Sequence, residues 1–415
     1  TAPPMNKAPE IINLPSGRRL VHILRKAAGA GIFGMAVRAG SADEQEETHG
    51  LAHFVEHTIF KGTARRSSWH IINRMEAVGG ELNAFTTKEE TVVYSVFPAG
   101  KVRRAVELIA DLALNSRFPE RELEKEREVV LDEINSYYDQ PAEALYDDFE
   151  EMAFAGHPLG HNILGRPESV RMLGSEHCRA FLDRYYTAGN VVLFYSGSRS
   201  AESVARCCEQ YFGLMNRSAI DVPGRCAASF RPIHFERFDK KSVHQAHVML
   251  GCGIEGIYGE SRHAGALLAN MTGGPGMNSL LNMELREKRG LVYTVETSTA
   301  MYTSGGLLNV YFGCDPDDME SCMALARDVF RRIADGAITP RRLAAAKKQY
   351  LGQLAIAAEN AETRIMDAAR ATLFRGAPTP AASTAAAIEA VGPEHLAEIA
   401  ARMSEPSILA FLPGR

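Results

Sequence analysis

The sequence has no paired-cysteine framework, no long apolar run and no marked excess of either charge. Its seven cysteines, at 178, 207, 208, 226, 252, 314 and 322, are an odd number among 415 residues and show no CxxC spacing. Neither a disulfide scaffold nor a four-cysteine zinc module fits that pattern, and a reducing compartment is favoured. The longest uncharged stretch near the N-terminus, residues 27–37, is interrupted by glycines and falls well short of the ~20 residues a membrane helix needs. The opening residues Thr1, Ala2, Pro3 and Pro4 begin no basic-then-apolar pattern, so no signal peptide is expected and a cytoplasmic location is. With 51 acidic residues against 46 basic ones, the net charge is −5. That balance argues against a nucleic-acid partner held by bulk charge.

What remains is an ordinary globular composition, 46% apolar and 23% charged, able to bury a sizeable core. At ~100–200 residues per domain, the length suggests two or more domains. In the first half, strands are expected at 20–24, 32–39, 81–87, 91–98 and 191–196. Helices are expected at 50–60, 68–78, 101–115, 119–138 and 201–212, with Ser67 or Ser68 capping the second and Pro119 in the first turn of the fourth. A looser stretch at 216–232, holding Pro223, Gly224 and Pro232, reads as a linker. Similar elements then recur in similar order. Strands are expected at 247–251, 291–299, 307–313 and 408–412, and helices at 259–271, 279–288, from Asp315 and Pro316 toward Ile333, and after Thr339 and Pro340. This reads as a weak duplication at about 200 residues, with domains at 1–215 and 233–415.

The informative segment is His53, Glu56 and His57 within the first expected helix. Residues four apart on a helix share a face, with Cβ atoms ~5–6 Å apart, so both imidazoles can reach one cation. Neutral imidazole suits zinc, and a catalytic zinc keeps three protein ligands and one open position. Glu56 lies on much the same side, placed to take a proton from water activated by the ion. The spacing inverts the commoner H-E-x-x-H arrangement. The competing reading is two histidines on an ordinary helix surface. A third ligand has to come from elsewhere. The long helix after Pro119 carries Glu120, Glu122, Glu124, Glu126, Glu128, Asp132 and Glu133. Glu126 and Glu133, two turns apart, face the same way. Arg121, Lys125 and Arg127 are interleaved with them, as on a solvated face, and spacing alone does not choose among these carboxylates.

Residues 50–63, GLAHFVEHTIFKGT, and residues 79–86, GGELNAFT, followed by Thr91 and Tyr94, resemble the signature blocks of the pitrilysin-like, or M16, metallopeptidases. The resemblance implies Glu133, 76 residues after the second histidine, as the third zinc ligand beside His53 and His57. It places Glu126 with Glu56 in the catalytic group. It implies that Asn83 and Ala84 lie on an edge strand that pairs with substrate backbone, a mode that tolerates varied side chains. The segment 285–293, LREKRGLVY, resembles the family's arginine–tyrosine pair. Arg286 would then hold substrate carbonyls, and Tyr293 would bind substrate and donate to the developing oxyanion. Without the resemblance, a salt-bridged helix arginine and a buried strand tyrosine are the simpler readings. One departure is visible: the turn at 273–276, GGPG, contains Pro275, and Leu280 follows where relatives often carry a polar or basic residue. The second half has no HxxEH, so one zinc per chain is expected.

The family resemblance implies an α+β fold of two homologous domains, each a mostly antiparallel sheet with helices. It implies a zinc metalloendopeptidase that hydrolyses peptides or unfolded segments in a closed chamber. A chain of this length looks like the short branch, which pairs to close the chamber. A homodimer is expected, its composite site joining the metal group of one chain to Arg286 and Tyr293 of the other. The alternatives are the catalytic subunit of a heterodimeric processing peptidase and a non-catalytic core-type scaffold. No nucleic-acid partner and no membrane span are expected.

Overall fold

The computed structural model describes residues 8–213 and 231–414. The stretch expected as a linker lies outside the described residues up to position 230, as do Cys226 and the first seven residues. The fold is mixed α+β, with two sheets and flanking helices. Two compact units are interleaved along the chain. The first gathers Thr1–Ile134, His161–Pro223 and Ala357–Pro380, and the second gathers Asn135–Gly160, Gly224–Ile356 and Ala381–Arg415. Among the described residues, no helix is long and apolar enough to cross a membrane.

The first unit is built on six strands: β1 (Glu10–Asn13), β2 (Arg19–Leu24), β3 (Ala30–Val37), β4 (Glu81–Thr86), β5 (Thr91–Pro98) and β6 (Val191–Gly197). Their order across the sheet is β1-β2-β6-β3-β5-β4, and every pairing is antiparallel except β2 with β6. Successive residues of a strand face opposite sides, and here both sides are covered. Phe33, Met35 and Val37 of β3 enter one core with Phe54, Val55, Leu108, Ile109 and Phe212. Ile32 and Ala36 of the same strand enter a second core with Ile365, Ala368, Ala369 and Leu373. This is why β3 and β6 are apolar almost without interruption rather than alternating. The second core is closed by the helix Ala361–Arg375, whose chain positions lie far from the rest of the unit. Its N-terminus is capped by Asn360, which accepts from Glu362 and Thr363 N–H. It is pinned to the sheet by Tyr94 O–H donating to Glu362 (2.8 Å) and by an Arg370–Glu90 ion pair.

The second unit holds β7 (Glu236–Lys241), β8 (Ala246–Ile254), β9 (Val292–Met301), β10 (Gly306–Cys314) and β11 (Ser407–Pro413) in the order β7-β11-β8-β10-β9. The pairing of β7 with β11 is parallel and the rest are antiparallel. Strand for strand, this repeats β2-β6-β3-β5-β4 of the first unit in order and direction, the duplication that the sequence suggests. One face packs Val248, Leu250, Val310 and Phe312 against Leu267, Phe330 and Leu396. The helix Pro141–Ala153 packs against β8 and β11. Phe149 comes so close to β8 that a Cβ on Gly251 would stand 2.6 Å from its ring, so this strand position accepts no side chain. The helix expected over 279–288 winds as a π-helix over Asn282–Glu287, with Lys288 N–H reaching five residues back to the Met283 carbonyl. Apolar periodicity does not separate this winding from an ordinary helix.

Candidate metal centre

Two helices carry the proposed ligands. The first, α1 (Leu51–Thr58), begins after Gly50, which sits in the left-handed region at φ +91°. A side chain there would be strained, and its Cβ would stand 2.7 Å from the Leu164 carbonyl. The buried carboxylate of Glu44 accepts the N–H groups of Gly50 (2.8 Å) and Ala52 (2.7 Å), satisfying donors that a helix start leaves open. Burial holds the Glu44 carboxyl well above the usual carboxylate range. Leu51, Ala52, Phe54, Val55 and Thr58 of α1 are buried, which fixes the helix and turns His53, Glu56 and His57 to the site. After α2 (Ser68–Glu76) and α3 (Val102–Asn115), the helix α4 (Glu120–Tyr138) brings Glu126 and Glu133. It is anchored by buried Leu123, Val130 and Ile134.

The three expected ligands meet. His57 Nε2 is 3.4 Å from Glu133 Oε2, and His53 Nε2 is 3.8 Å from the same oxygen. One donor atom from each of the three residues lies within 4.8 Å of the others. Metal–ligand bonds of ~2.0–2.1 Å in a tetrahedral site place ligand atoms ~3.3–3.4 Å apart, the separation of His57 Nε2 and Glu133 Oε2. Burial, and then the proximity of His57, push the His53 imidazole down to about 3. It is therefore neutral at ordinary pH, the form that ligates metal. Its Nδ1 is buried without a hydrogen-bond partner.

Around these ligands, Glu56 is half-buried. Burial raises its carboxyl above the usual range, while Thr86 at the end of β4 and His57 act the other way. Glu126 does not join the ligand cluster. Its Oε2 is 3.4 Å from His57 Nδ1, on the far side of the ring from Glu133, and its Oε1 is 2.6 Å from Lys61 Nζ. An outer carboxylate on a ligating imidazole fixes the ring's orientation and tautomer.

Lys61 is not singled out by the sequence reading; its position one helical turn beyond His57, on the same face, is the signal that would have found it. Tyr186 is a second residue near the site that no sequence motif marks. Its hydroxyl is buried and unpartnered, and the Glu56 charge adds to burial in raising its pKa.

Asn83 and Ala84 lie on β4 at the edge of the sheet: they pair with Tyr94 and Val93 of β5, and among the described residues no strand lies on the other side. Arg286 and Tyr293 belong to the second unit. Arg286 sits in the π-helical turn, and Tyr293 sits near the start of β9, the edge strand that corresponds to β4. The tyrosine is 84% exposed, not a buried strand aromatic. The Arg286 guanidinium lies 5.9 Å from the centre of its ring.

Comparison with known proteins places the chain in a family. Residues 25–167 match the family model described as insulinase (peptidase family M16), and residues 173–350 match the one described as peptidase M16 inactive domain. An uncharacterized zinc protease of Mycobacterium tuberculosis is 33% identical over 395 residues, covering 95% of this chain and 90% of its own length. The uncharacterized zinc protease YmxG of Bacillus subtilis is 30% identical over 336 residues, 80% of either chain. A protease from Helicobacter pylori of known structure shares the fold with a TM-score of 0.89 at 19% identity, covering 98% of this chain and 100% of that one. Two successive family matches and relatives of 30–33% identity covering 80–95% of this chain lead to one assignment: this chain belongs to peptidase family M16.

Proposed function

We propose that this chain is a zinc metalloendopeptidase that hydrolyses peptides or unfolded polypeptide segments. The observation that carries the reading is the convergence of His53, His57 and Glu133 donor atoms within 4.8 Å of one another, with both histidines on the helix that also presents Glu56. When bound, zinc would lower the pKa of a water from ~15.7 to ~7 and polarise the scissile carbonyl. Glu56 takes the proton of the attacking water and returns it to the leaving amine. Substrate backbone adds to the edge of β4 at Asn83 and Ala84, so main-chain hydrogen bonds orient the scissile bond. Glu126 holds the His57 ring in its ligating orientation.

The site is completed across a homodimer that closes a chamber. Arg286 of a second copy donates to substrate carbonyls, and its Tyr293 donates to the oxyanion, an interaction whose loss typically costs ~10²–10³ in rate. The exposure of Tyr293 and its contact with Arg286 support this pairing.

Two experiments test the reading. Glu56→Gln keeps zinc and loses peptide cleavage, whereas His53→Ala loses both; continued cleavage by Glu56→Gln removes Glu56 as the base. Mixing inactive His57→Ala chains with inactive Tyr293→Phe chains restores activity through one intact composite site. Subunit exchange without recovery means the site is not shared. Cleavage that appears only on adding a different chain favours a heterodimeric processing enzyme.

A further inference from the structure

The short turn that ends α1 runs Ile59–Lys61, so the segment that supplies both histidines also supplies a cation one turn later. Between His57 and Lys61 stands Glu126 of α4. One of its oxygens is 2.6 Å from Lys61 Nζ and the other is 3.4 Å from His57 Nδ1. The carboxylate is engaged on both oxygens and its side chain is only 14% exposed, while that of Lys61 is 24% exposed. A charge-assisted hydrogen bond in such partly dry surroundings is among the stronger ones.

The site needs such a restraint. Three carboxylates, Glu56, Glu126 and Glu133, crowd a centre with two imidazoles. Glu126 lies two helical turns from Glu133 on the same face of α4. A carboxylate there that was free to rotate could turn toward the cation as a fourth protein ligand and occupy the position that a catalytic site leaves open. An ammonium on the far oxygen opposes that rotation, and it holds the near oxygen against the His57 ring.

We propose that Lys61 is a positioning residue: through Glu126 it holds the His57 ring in its ligating orientation and keeps Glu126 out of the metal's coordination sphere. The inference rests on the metallopeptidase reading, and its test separates the two. Zinc affinity is measured by competition with a chromophoric chelator for the wild-type chain, Lys61→Met, Lys61→Arg, Glu126→Gln and the Lys61→Met/Glu126→Gln double variant. Thermal unfolding is recorded for each metal-free protein. An outer-sphere change typically costs ~10–100-fold in metal affinity, so Lys61→Met is expected to weaken zinc by about 10-fold or more. Lys61→Arg, which keeps the charge, recovers most of that loss. In the Glu126→Gln background, Lys61→Met changes affinity less than about 2-fold, because the chain of contacts is already broken.

Wild-type affinity in Lys61→Met overturns the proposal. So does an equal loss with and without Glu126, which would make Lys61 a general electrostatic or folding residue. If Lys61→Met does not fold, the Lys61→Arg and Lys61→Gln pair is compared instead, and equal affinity in the two overturns it. A wild-type chain that takes up no zinc overturns the metallopeptidase reading first, and this proposal with it.

Discussion

The rings of His53 and His57 stand with centroids 4.6 Å apart, inclined by 69°, and their Nε2 atoms face the same oxygen of Glu133. Glu133 is thus the one anionic donor in the cluster, and it comes from a helix distant in sequence from the two rings. Its side chain is 43% exposed, so its charge is not needed to hold the fold. Glu133→Gln is expected to weaken zinc by more than about 100-fold, beyond the usual outer-sphere range. Its metal-free melting temperature should stay within about 2 °C of wild type. Equilibrium dialysis against zinc and a thermal scan in chelator read both. Zinc content equal to wild type would remove Glu133 from the ligand set.

A second pair of imidazoles contributes to the pH dependence of stability. The His49 ring lies 3.9 Å from that of His161, and its Nε2 is buried without a hydrogen-bond partner. Burial, with His161 and Arg166 nearby, pushes His49 down to about 4. Between about pH 4 and the ordinary value near 6.5, the unfolded chain binds a proton here that the folded chain does not. Stability therefore falls as pH drops through that window, by up to about 1.4 kcal/mol per pH unit for this one group. Carboxyls raised by burial, such as Glu44 and Asp367, act in the opposite sense, so the informative quantity is the difference between two proteins. In urea unfolding of metal-free protein at pH 7, 6 and 5, His49→Gln should lose less stability on acidification than wild type. Parallel pH curves would exclude His49 as the source.

Arg370 tests the helix that covers the first sheet. It pairs with Glu90, whose side chain is 3% exposed and whose second oxygen has no partner. Removing the cation leaves a carboxylate stranded in the interior, which costs several kcal/mol in fully buried pairs. Arg370 is itself half exposed, so Arg370→Met is expected to cost about 2–3 kcal/mol. Glu90→Gln in the same chain should recover much of it, because a neutral amide tolerates the site better than an unpaired charge. Denaturant unfolding reads both values. A single-variant loss below about 0.5 kcal/mol would mean the pair contributes little.

The metal helix is legible in the sequence because two imidazoles on one helix reach a single ion when they lie one turn apart. The strands β3 and β6 are legible because strands covered on both faces write themselves as nearly unbroken apolar runs. The third ligand is not legible from spacing. Several carboxylates share α4, and which of them faces α1 depends on how Leu123, Val130 and Ile134 seat the helix. Lys61 escapes notice for a related reason, since a lysine just past an apolar helix looks like a solvated end until α4 supplies its anion. No helix is expected from the sequence between 139 and 190. Nor does the sequence place Ala361–Arg375 on the first sheet, because an amphipathic stretch announces that it will bury one face and not whose strands will receive it.

That last helix bears on how the protein can be cut. Each sheet takes a covering helix from the opposite half of the chain: Ala361–Arg375 lies over the first, and Pro141–Ala153 lies against the second. A fragment ending at residue 213 would leave Val21, Ile23, Ile32, Val92 and Phe194 facing water where Ile365 and Leu373 now stand. The complementary fragment would lose the Phe149 ring from above Gly251. The two units are thus bound to rise and fall as one product of translation, and the partition that compactness draws in space has no counterpart as a single scissor point in the gene.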